Sequence, residues 1–459
     1  RAGVNAGDSI ASGGNYNVVV GDEAGTALTT GDNNVAVGYA AGDALTSPNN
    51  NVAVGSEALT ADTLGTTSVA IGRSALKAQN FTTSTSTYNT AVGFVAGLSV
   101  TTGIRNTLIG AQAGDALTDA DFNVALGYNT LGSDTLGSHN TAIGYAALFT
   151  QNFTTATNSY NTAVGSNAGL SVTTGIRNVL LGGLAGDALT DADHNVAIGY
   201  QALTSDTLGS RAIAIGHNAL ANQNFTTATD SYNVGIGYSA GDAITTGIFN
   251  VLIGGLAGDA ITDADFNIAV GTNALSTNVL GSQNVAVGNA ALNAMNPATA
   301  TNMYNTAVGA SAGLAVTTGL VNTLVGGLSG DAITTGNDNT AFGYNSLTGN
   351  TASNRNTAIG SQALATFNVT TDTHTYNTAV GYAAGNAVTT GDSNTLIGGL
   401  AGDALTTSSD NTAVGYLALS AQVAGTSQNT AIGFKAGTAN LSGGGLTAVG
   451  RQAAEANTT

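Results

Sequence analysis

The chain has 459 residues, a formal net charge of −18, 64 glycines, and neither cysteine nor tryptophan. Its nine Lys and Arg residues are scattered, which argues against nucleic acid or an anionic membrane as a partner, and no apolar run reaches membrane-spanning length. The lack of cysteine excludes disulfides and thiol chemistry. Val, Ile and Thr recur at fixed positions, whereas disordered chains are poor in β-branched residues, so we expect the chain to fold.

Residues 1–16 carry only a loose form of the pattern that organises the rest, and we interpret them as an initial coil or a truncated unit. From residue 17 to residue 450 a five-residue core that ends in glycine returns 25 times, as in Asn-Val-Ala-Val-Gly at 34–38. The usual step is 17 residues and every fourth step is 21, which makes a 72-residue super-repeat of four units. Such a period is typical of a solenoid. We predict a continuous β-solenoid over 17–450 and a C-terminal tail at 451–459.

The core alternates its side chains with the period of two that is typical of a strand. The positions three and one before the glycine are β-branched and apolar, and we predict that they form the core. Asn four before and Ala two before share the opposite face, which we expect to be an exposed, charge-free surface that packs on identical chains. A second short strand is predicted after the glycine, as at 43–46. The expected fold is therefore all-β: a parallel β-solenoid, or β-roll, of about 25 coils.

Two core positions are predicted to be structural. Asn lies four before the glycine in 22 of 25 units, and stacked Asn side chains can hydrogen-bond from coil to coil. The predicted ladder includes Asn34, Asn89, Asn161, Asn233, Asn305 and Asn377. The glycine should supply a positive φ or a close backbone approach at a corner. These corner glycines include Gly38, Gly93, Gly165, Gly237, Gly309 and Gly381.

The second unit of each super-repeat differs from the others in side-chain volume. Leu replaces Ala two before the corner glycine, as at Leu108, and Gly lies four after the preceding corner, as at Gly97. Five units carry this leucine, and in four of them another glycine directly follows the corner glycine. Those four are Gly183, Gly255, Gly327 and Gly399. A larger residue beside a vacated position is what a dense interior requires, so we interpret both kinds of glycine as volume compensation.

The 21-residue units insert four residues into one loop, and these loops carry aromatic residues. Aromatic side chains among Thr and Asn on a loop suit contact with carbohydrate or protein. The candidate receptor contacts are Phe81, Tyr88, Phe153, Tyr160, Phe225, Tyr232, Tyr304 and Tyr376. The favoured alternative is that these aromatics clamp the loop to the coils or to a neighbouring chain.

No catalytic or metal site is predicted, and no cofactor. Asp115, Asp119 and Asp121 could offer hard oxygen ligands to Ca²⁺, but their spacing matches no known calcium loop, and a solvated turn is favoured. The four histidines are taken to occupy unrelated coil positions, and no nucleophile or phosphate motif is present, so we predict that the chain is not an enzyme. An ice-binding surface is a further alternative, because Thr recurs eight residues after the glycine. Asn interrupts this Thr row every fourth coil, and no activity is expected.

Two families share this pattern. Ser-Val-Ala-Ile-Gly at 68–72, with Ala75, resembles the head repeat of trimeric autotransporter adhesins, although most units place Asn where that family has Ser. Asn-Thr-Ala-Ile-Gly-Tyr-Ala-Ala-Leu at 140–148 and a similar run at 411–419 resemble the tandem repeats of bacteriophage tail fibres. The resemblance covers nearly the whole chain. It implies a trimeric β-roll, with the chains intertwined or side by side.

The resemblance also implies a function. The chain is expected to be the rigid trimeric shaft of a tail fibre in a virion, which positions a host-receptor-binding tip or loops. Its partners would be its own copies, other virion or fibre proteins, and a glycan or protein of the host surface. Neither nucleic-acid binding nor membrane insertion is expected. The alternative is the head of a bacterial trimeric surface adhesin, or an extracellular filament.

Overall fold

The computed structural model describes residues 2–421, 427–439 and 444–456. It comprises two compact units, residues 1–232 and 233–459, which are built from the same coil. All regular elements within the described ranges are β-strands, which confirms the all-β prediction. No helix in those ranges is long and apolar enough to cross a membrane.

Each coil contributes one three-residue strand directly before its corner glycine. Successive strands within a unit pair in parallel and in register, so that Val35 lies opposite Val52, and Ala36 opposite Ala53. This confirms the parallel β-solenoid of about 25 coils. In the first unit the strands are Val18–Val20, Val35–Val37, Val52–Val54, Val69–Ile71, Thr90–Val92, Thr107–Ile109, Val124–Leu126, Thr141–Ile143, Thr162–Val164, Val179–Leu181, Val196–Ile198 and Ile213–Ile215. In the second unit they are Val234–Ile236, Val251–Ile253, Ile268–Val270, Val285–Val287, Thr306–Val308, Thr323–Val325, Thr340–Phe342, Thr357–Ile359, Thr378–Val380, Thr395–Ile397, Thr412–Val414, Thr430–Ile432 and Thr447–Val449.

The predicted second strand of each coil is wrong. Residues 43–46 and 386–389 form turns, because left-handed residues such as Glu57 (φ 60°) and Leu59 (φ 53°) interrupt the extended backbone after each corner. The turns still stack, since the amide of Gly42 donates to the carbonyl of Ala58 at 2.9 Å. Two-residue strands form instead beside four of the inserted loops. They pair Gly65–Thr66 with Thr85–Ser86, Gly137–Ser138 with Thr157–Asn158, Gly209–Ser210 with Thr229–Asp230, and Gly281–Ser282 with Thr301–Asn302.

The two faces of the strand are the reverse of the prediction. The alanine two before the glycine and the asparagine four before it are buried, as at Ala53 and Asn51, while Val124 and Leu126 on the opposite face are exposed. The reason is the width of the coil. A 17-residue coil leaves a narrow interior, in which the strand alanines share the space with buried leucines of the turns, such as Leu45. The predicted small, exposed contact face is therefore the core.

The buried asparagines form hydrogen bonds between coils. Asn34 donates from Nδ2 to the carbonyl of Pro48 at 2.8 Å, and its Oδ1 accepts the amide of Asn51 at 3.0 Å. The same pair of bonds recurs around Asn106. The asparagine ladder therefore satisfies backbone groups that the narrow interior hides from water, and an unpaired buried group of this kind is costly.

The corner glycines have both of the properties that the sequence offered as alternatives. Gly38 has a φ of 133°. A Cβ at this position would lie 2.6 Å from the carbonyl oxygen of Gly55 in the next coil. The glycines four residues after a corner also have no room for a side chain, since a Cβ at Gly97 would lie 2.7 Å from Cδ1 of Leu108. For these interior positions the interpretation as volume compensation agrees with the packing.

The first and last described segments take part in the same stacking. The amide of Gly7 donates to Ala24 O at 3.0 Å, and the amide of Glu23 donates to Val4 O at 2.9 Å. Near the other end, Gly437 donates to Ala453 O at 2.9 Å. Residues 2–16 and 451–456 therefore continue the hydrogen-bonded coils, and residues 457–459 of the predicted tail lie outside the described residues.

Candidate functional surfaces

The first candidate surface is the strand face, which we define as the residues three and one before each corner glycine. None of these residues is charged in any of the 25 coils. Many of the large apolar members are exposed: Val18, Val20, Ile71, Ile109, Val124, Leu126, Ile213, Ile268, Val308, Phe342, Ile359, Ile397, Ile432 and Val449. Each unit thus presents a broad, uncharged β-sheet face of apolar residues and threonine. On soluble proteins such a face usually marks an interaction site.

The second surface is the pre-asparagine column, the residues directly before each ladder position. Every one of them has a left-handed φ, for example 52° at Tyr88, 57° at Arg105 and 58° at Phe122. This conformation is uncommon for bulky residues, and here it marks a second corner of the coil. In the first unit the column from the first loop onward holds Tyr88, Arg105, Phe122, His139, Tyr160, Arg177, His194, Arg211 and Tyr232.

Rings and guanidinium groups of this column stack on one another along the coils. The ring centroids of Phe122 and His139 are 4.7 Å apart, and those of His139 and Tyr160 are 5.0 Å apart. The guanidinium of Arg211 lies 5.7 Å from the ring centroid of Tyr232. Ring faces of the candidate contacts Tyr160 and Tyr232 are therefore partly covered by their neighbours.

The remaining loop tyrosines, Tyr88, Tyr304 and Tyr376, are exposed in the same column, and Arg355 donates to the hydroxyl of Tyr376 at 2.9 Å. The prediction that the four histidines hold unrelated positions is wrong for two of them, since His139 and His194 both precede a ladder asparagine. Register relative to that asparagine was the signal that could have revealed the column, including its arginines.

The loop phenylalanines do not form a contact surface. Phe81, Phe153 and Phe225 are only 7%, 6% and 5% exposed, which agrees with the clamp alternative and not with receptor contact. The amide of Phe81 donates to Oδ1 of buried Asp62 at 3.1 Å, and Nε2 of Gln79 donates to its Oδ2 at 2.6 Å. Burial raises the pKa of Asp62, and these hydrogen bonds oppose the rise.

The three candidate calcium ligands have separate environments. Asp119 accepts the hydroxyl of Thr102 at 2.6 Å, and Asp121 accepts the amide of Ile104 at 2.7 Å. Asp115 is partly buried, which raises its pKa. Nowhere in the described ranges do three or more His, Asp or Glu side chains come together in a group that could hold a metal ion.

The third surface is the post-glycine column, the residues directly after each corner glycine. Exposed tyrosines are frequent in it, and neighbouring rings stack, as at Tyr128 and Tyr145 with 5.8 Å between their centroids. The glycines of this column were interpreted as volume compensation, and that is wrong. Gly183 and Gly255 lie outside the left-handed region, the nearest atom to a Cβ at Gly183 would be 3.5 Å away, and a Cβ at Gly255 would meet nothing within 4 Å.

No protein-family model, no curated protein and no solved structure matches this chain.

Proposed function

We propose that the chain is a structural and adhesive fibre segment whose copies assemble side by side through the strand face. The observation that carries the proposal is the strand face itself: two adjacent rows of Val, Thr, Ile, Leu and Phe that run through successive coils without a charge. A regular apolar sheet face exposed on a monomer promotes uncontrolled association. A closed assembly of identical chains covers the same face on every copy.

The available area is sufficient for a stable contact. With coils about 4.8 Å apart and about 3.3 Å per residue, the three strand residues of 25 coils span roughly 1,200 Å². A standard protein–protein interface buries about 800 Å² on each partner. The strand faces of the two units together thus offer enough surface, and the hydrophobic effect supplies the driving force.

The number of chains and the biological setting come from the resemblance to repeat families. It supports a homotrimer that acts as the shaft of a bacteriophage tail fibre in the virion and positions a host-receptor-binding tip or loops. The partners would be its own copies, other fibre proteins and a host-surface glycan or protein. A bacterial trimeric surface adhesin or extracellular filament would use the same assembly. A mechanical role needs no catalysis, so we propose that the chain is not an enzyme.

Multi-angle light scattering tests the assembly. We expect the wild-type chain to have about three times its chain mass of 44.8 kDa. The variant Ile359→Lys/Ile397→Lys places two charges on the strand face, where burying an unpaired charge is strongly unfavourable, and it should run as a monomer. Thr390→Lys lies on an exposed turn and is the matched control that should keep the wild-type mass. A monomeric wild-type chain would refute the proposal.

Ice binding is a second candidate that one observation favours. The threonine row considered at the sequence level is engaged between coils, since Thr29 donates to Thr46 O at 3.0 Å. On the strand face of the second unit, however, nine consecutive coils from Thr306 to Thr447 carry threonine beside an apolar residue. A thermal-hysteresis measurement distinguishes the candidates. Hysteresis by the wild-type chain is not expected if the face serves assembly.

A further inference from the structure

Part of the post-glycine column in the second unit alternates between tyrosine and a small residue. Its members from 344 to 416 are Tyr344, Ser361, Tyr382, Gly399 and Tyr416. The three tyrosines are 55%, 60% and 49% exposed. Because successive coils are about 4.8 Å apart, consecutive tyrosines lie about 9.6 Å apart. We call the two gaps the tyrosine slots: one at Ser361 and one at Gly399.

Internal packing does not explain why the slots lack a large side chain. Gly399 lies outside the left-handed region, and a Cβ there would meet Cδ2 of Tyr416 at 3.5 Å, an ordinary contact distance. Other coils place a second ring at this position, as the stacked Tyr128 and Tyr145 show. The backbone and the neighbouring coils therefore tolerate a ring at Gly399. The ring of Tyr416 is the nearest group to a side chain added at Gly399.

The dimensions of the slots suit one ring between two tyrosines. A ring placed midway would lie about 4.8 Å from each tyrosine, within the roughly 4.5–7 Å at which stacked rings interact favourably. The slot-forming residues are uncharged, and Ser361 and the tyrosines add hydroxyl groups. An uncharged ring with apolar C–H faces and hydroxyl groups at its edge matches this combination. A pyranose unit of a neutral glycan has that chemistry.

A cavity in the first unit lies beside one tyrosine of the same column. Its volume is about 300 Å³, and it is lined by Asn129, Tyr145, Ala146, Phe149, Asn167 and Leu170. This volume is at the lower end for small-molecule sites. Tyr145 belongs to the post-glycine column, and the other lining residues follow a corner glycine by two or five positions. A ring of this column thus forms one wall of an uncharged recess on the adjoining turns.

We propose that the tyrosine slots bind sugar rings of a neutral polysaccharide, an inference that rests on the proposed adhesive function. A second copy of this chain fits less well, because contact between identical coils would repeat at every coil, whereas the slots occur only at Ser361 and Gly399 in this segment. Two adjacent slots that share Tyr382 hold neighbouring parts of one ligand. Linked weak contacts of this kind add up to useful avidity.

The test measures binding of the full chain to fluorescein-labelled dextran, mannan and galactan, with labelled alginate as the acidic comparison. We expect at least one neutral polymer to bind and alginate not to bind. Ser361→Tyr/Gly399→Tyr fills both slots with the residue that already stacks at Tyr128 and Tyr145, so the fold should persist. This variant should bind about tenfold more weakly or worse, because two ring contacts are lost.

Two further variants complete the test. Tyr382→Ala removes the wall that the slots share and should cause a similar loss. Phe266→Ala removes an exposed ring of the pre-asparagine column and should bind as the wild type. Absence of binding to every neutral polymer, or unchanged binding by the filled variant, overturns the inference.

Light scattering on the same samples separates this inference from the proposed assembly. If filling the slots changes the molecular mass and the wild type binds no polymer, the slots are contacts to another copy of the chain. That result overturns the inference. Wild-type assembly without polymer binding refutes only the slots. A monomer that binds polymer refutes only the assembly.

Discussion

The buried pair of Asp134 and Gln151 offers a sharp test of how the loops are held to the coils. Asp134 is fully buried. Its Oδ2 accepts Nε2 of Gln151 at 2.6 Å, and its Oδ1 accepts the amide of Gly137 at 3.0 Å. None of the ion pairs among the described residues includes Asp134. Gln151→Met should therefore destabilise the coil by about 1.5–3 kcal/mol, the contribution of a hydrogen bond to a charged group.

The compact unit of residues 233–459 shows which double change should be tolerated. At the equivalent positions it carries Asn278 with Met295, and Asn278 binds both backbone groups of Gly281, its Oδ1 accepting the amide at 2.8 Å and its Nδ2 donating to the carbonyl at 2.7 Å. Asp134→Asn/Gln151→Met reproduces this pair, so it should be more stable than Gln151→Met. The two changes should show a coupling free energy of about 1–3 kcal/mol. Asn278→Asp is the reverse control, since it buries a carboxylate without the glutamine and should destabilise its coil.

The pH dependence has a definite sign. Burial raises the pKa of Asp134, while its hydrogen bonds from Gln151 and the backbone oppose the rise. An acid whose folded pKa is raised contributes stability that is present below its unfolded pKa of about 3.9 and is lost as pH rises through the folded pKa. The double variant lacks this contribution. Its stability relative to the wild type should therefore increase as pH rises from about 4 towards neutrality.

The assay is urea unfolding of the wild type and four variants at pH 4 and pH 7: Gln151→Met, Asp134→Asn, the double variant and Asn278→Asp. Hydrogen exchange of the peptide at 151–158 is the local readout. Faster exchange in that peptide should accompany Gln151→Met and be reversed in the double variant. The reasoning is refuted if the double variant loses as much stability as the two single changes added together, or if its advantage shrinks as pH rises.

Three further predictions concern the core and the ladder. Gly97→Ala should cost about 1–3 kcal/mol of stability through overpacking against Leu108, whereas Gly255→Ala, in open space, should be neutral or stabilise by up to about 1 kcal/mol. Thermal unfolding measures both changes. Equal losses would contradict the packing argument. Leu108→Ala combined with Gly97→Ala should cost less than the sum of the two single changes, because it vacates the volume that the new methyl group needs, and additive losses would contradict this coupling. Asn106→Ala should cost about 2–5 kcal/mol of stability because two buried backbone groups lose their partners. Thr102→Ala on the exposed turn should change stability by less than about 0.5 kcal/mol. Comparable losses would show that the ladder is dispensable.

The repeat pattern was sufficient to predict much of the architecture. Equivalent residues recur at a fixed step, so stacking them in register forces parallel strands, and the structure has them, as with Val35 opposite Val52. The invariant glycine predicted a corner for steric reasons, and Gly38 meets both the φ and the close-approach requirement. The functional surfaces were harder to predict from the sequence. The aromatic residues at the loop ends were noticed, but their membership of a column with Arg105 and His139 depends on a left-handed corner that the residue types do not suggest.

The sequence by itself determined the number of coils, their register and the hydrogen bonding of asparagine between coils, because periodicity and side-chain chemistry decide these. Only the tertiary structure decided which face of the strand lies inside. Period-two alternation shows that there are two faces, and hydrophobicity alone would bury valine and isoleucine rather than alanine. The interior is so narrow, however, that alanine fits beside turn leucines such as Leu45, while asparagine amides reach carbonyls such as Pro48 O. The larger apolar side chains are therefore left outside, where they form the strand face available for assembly.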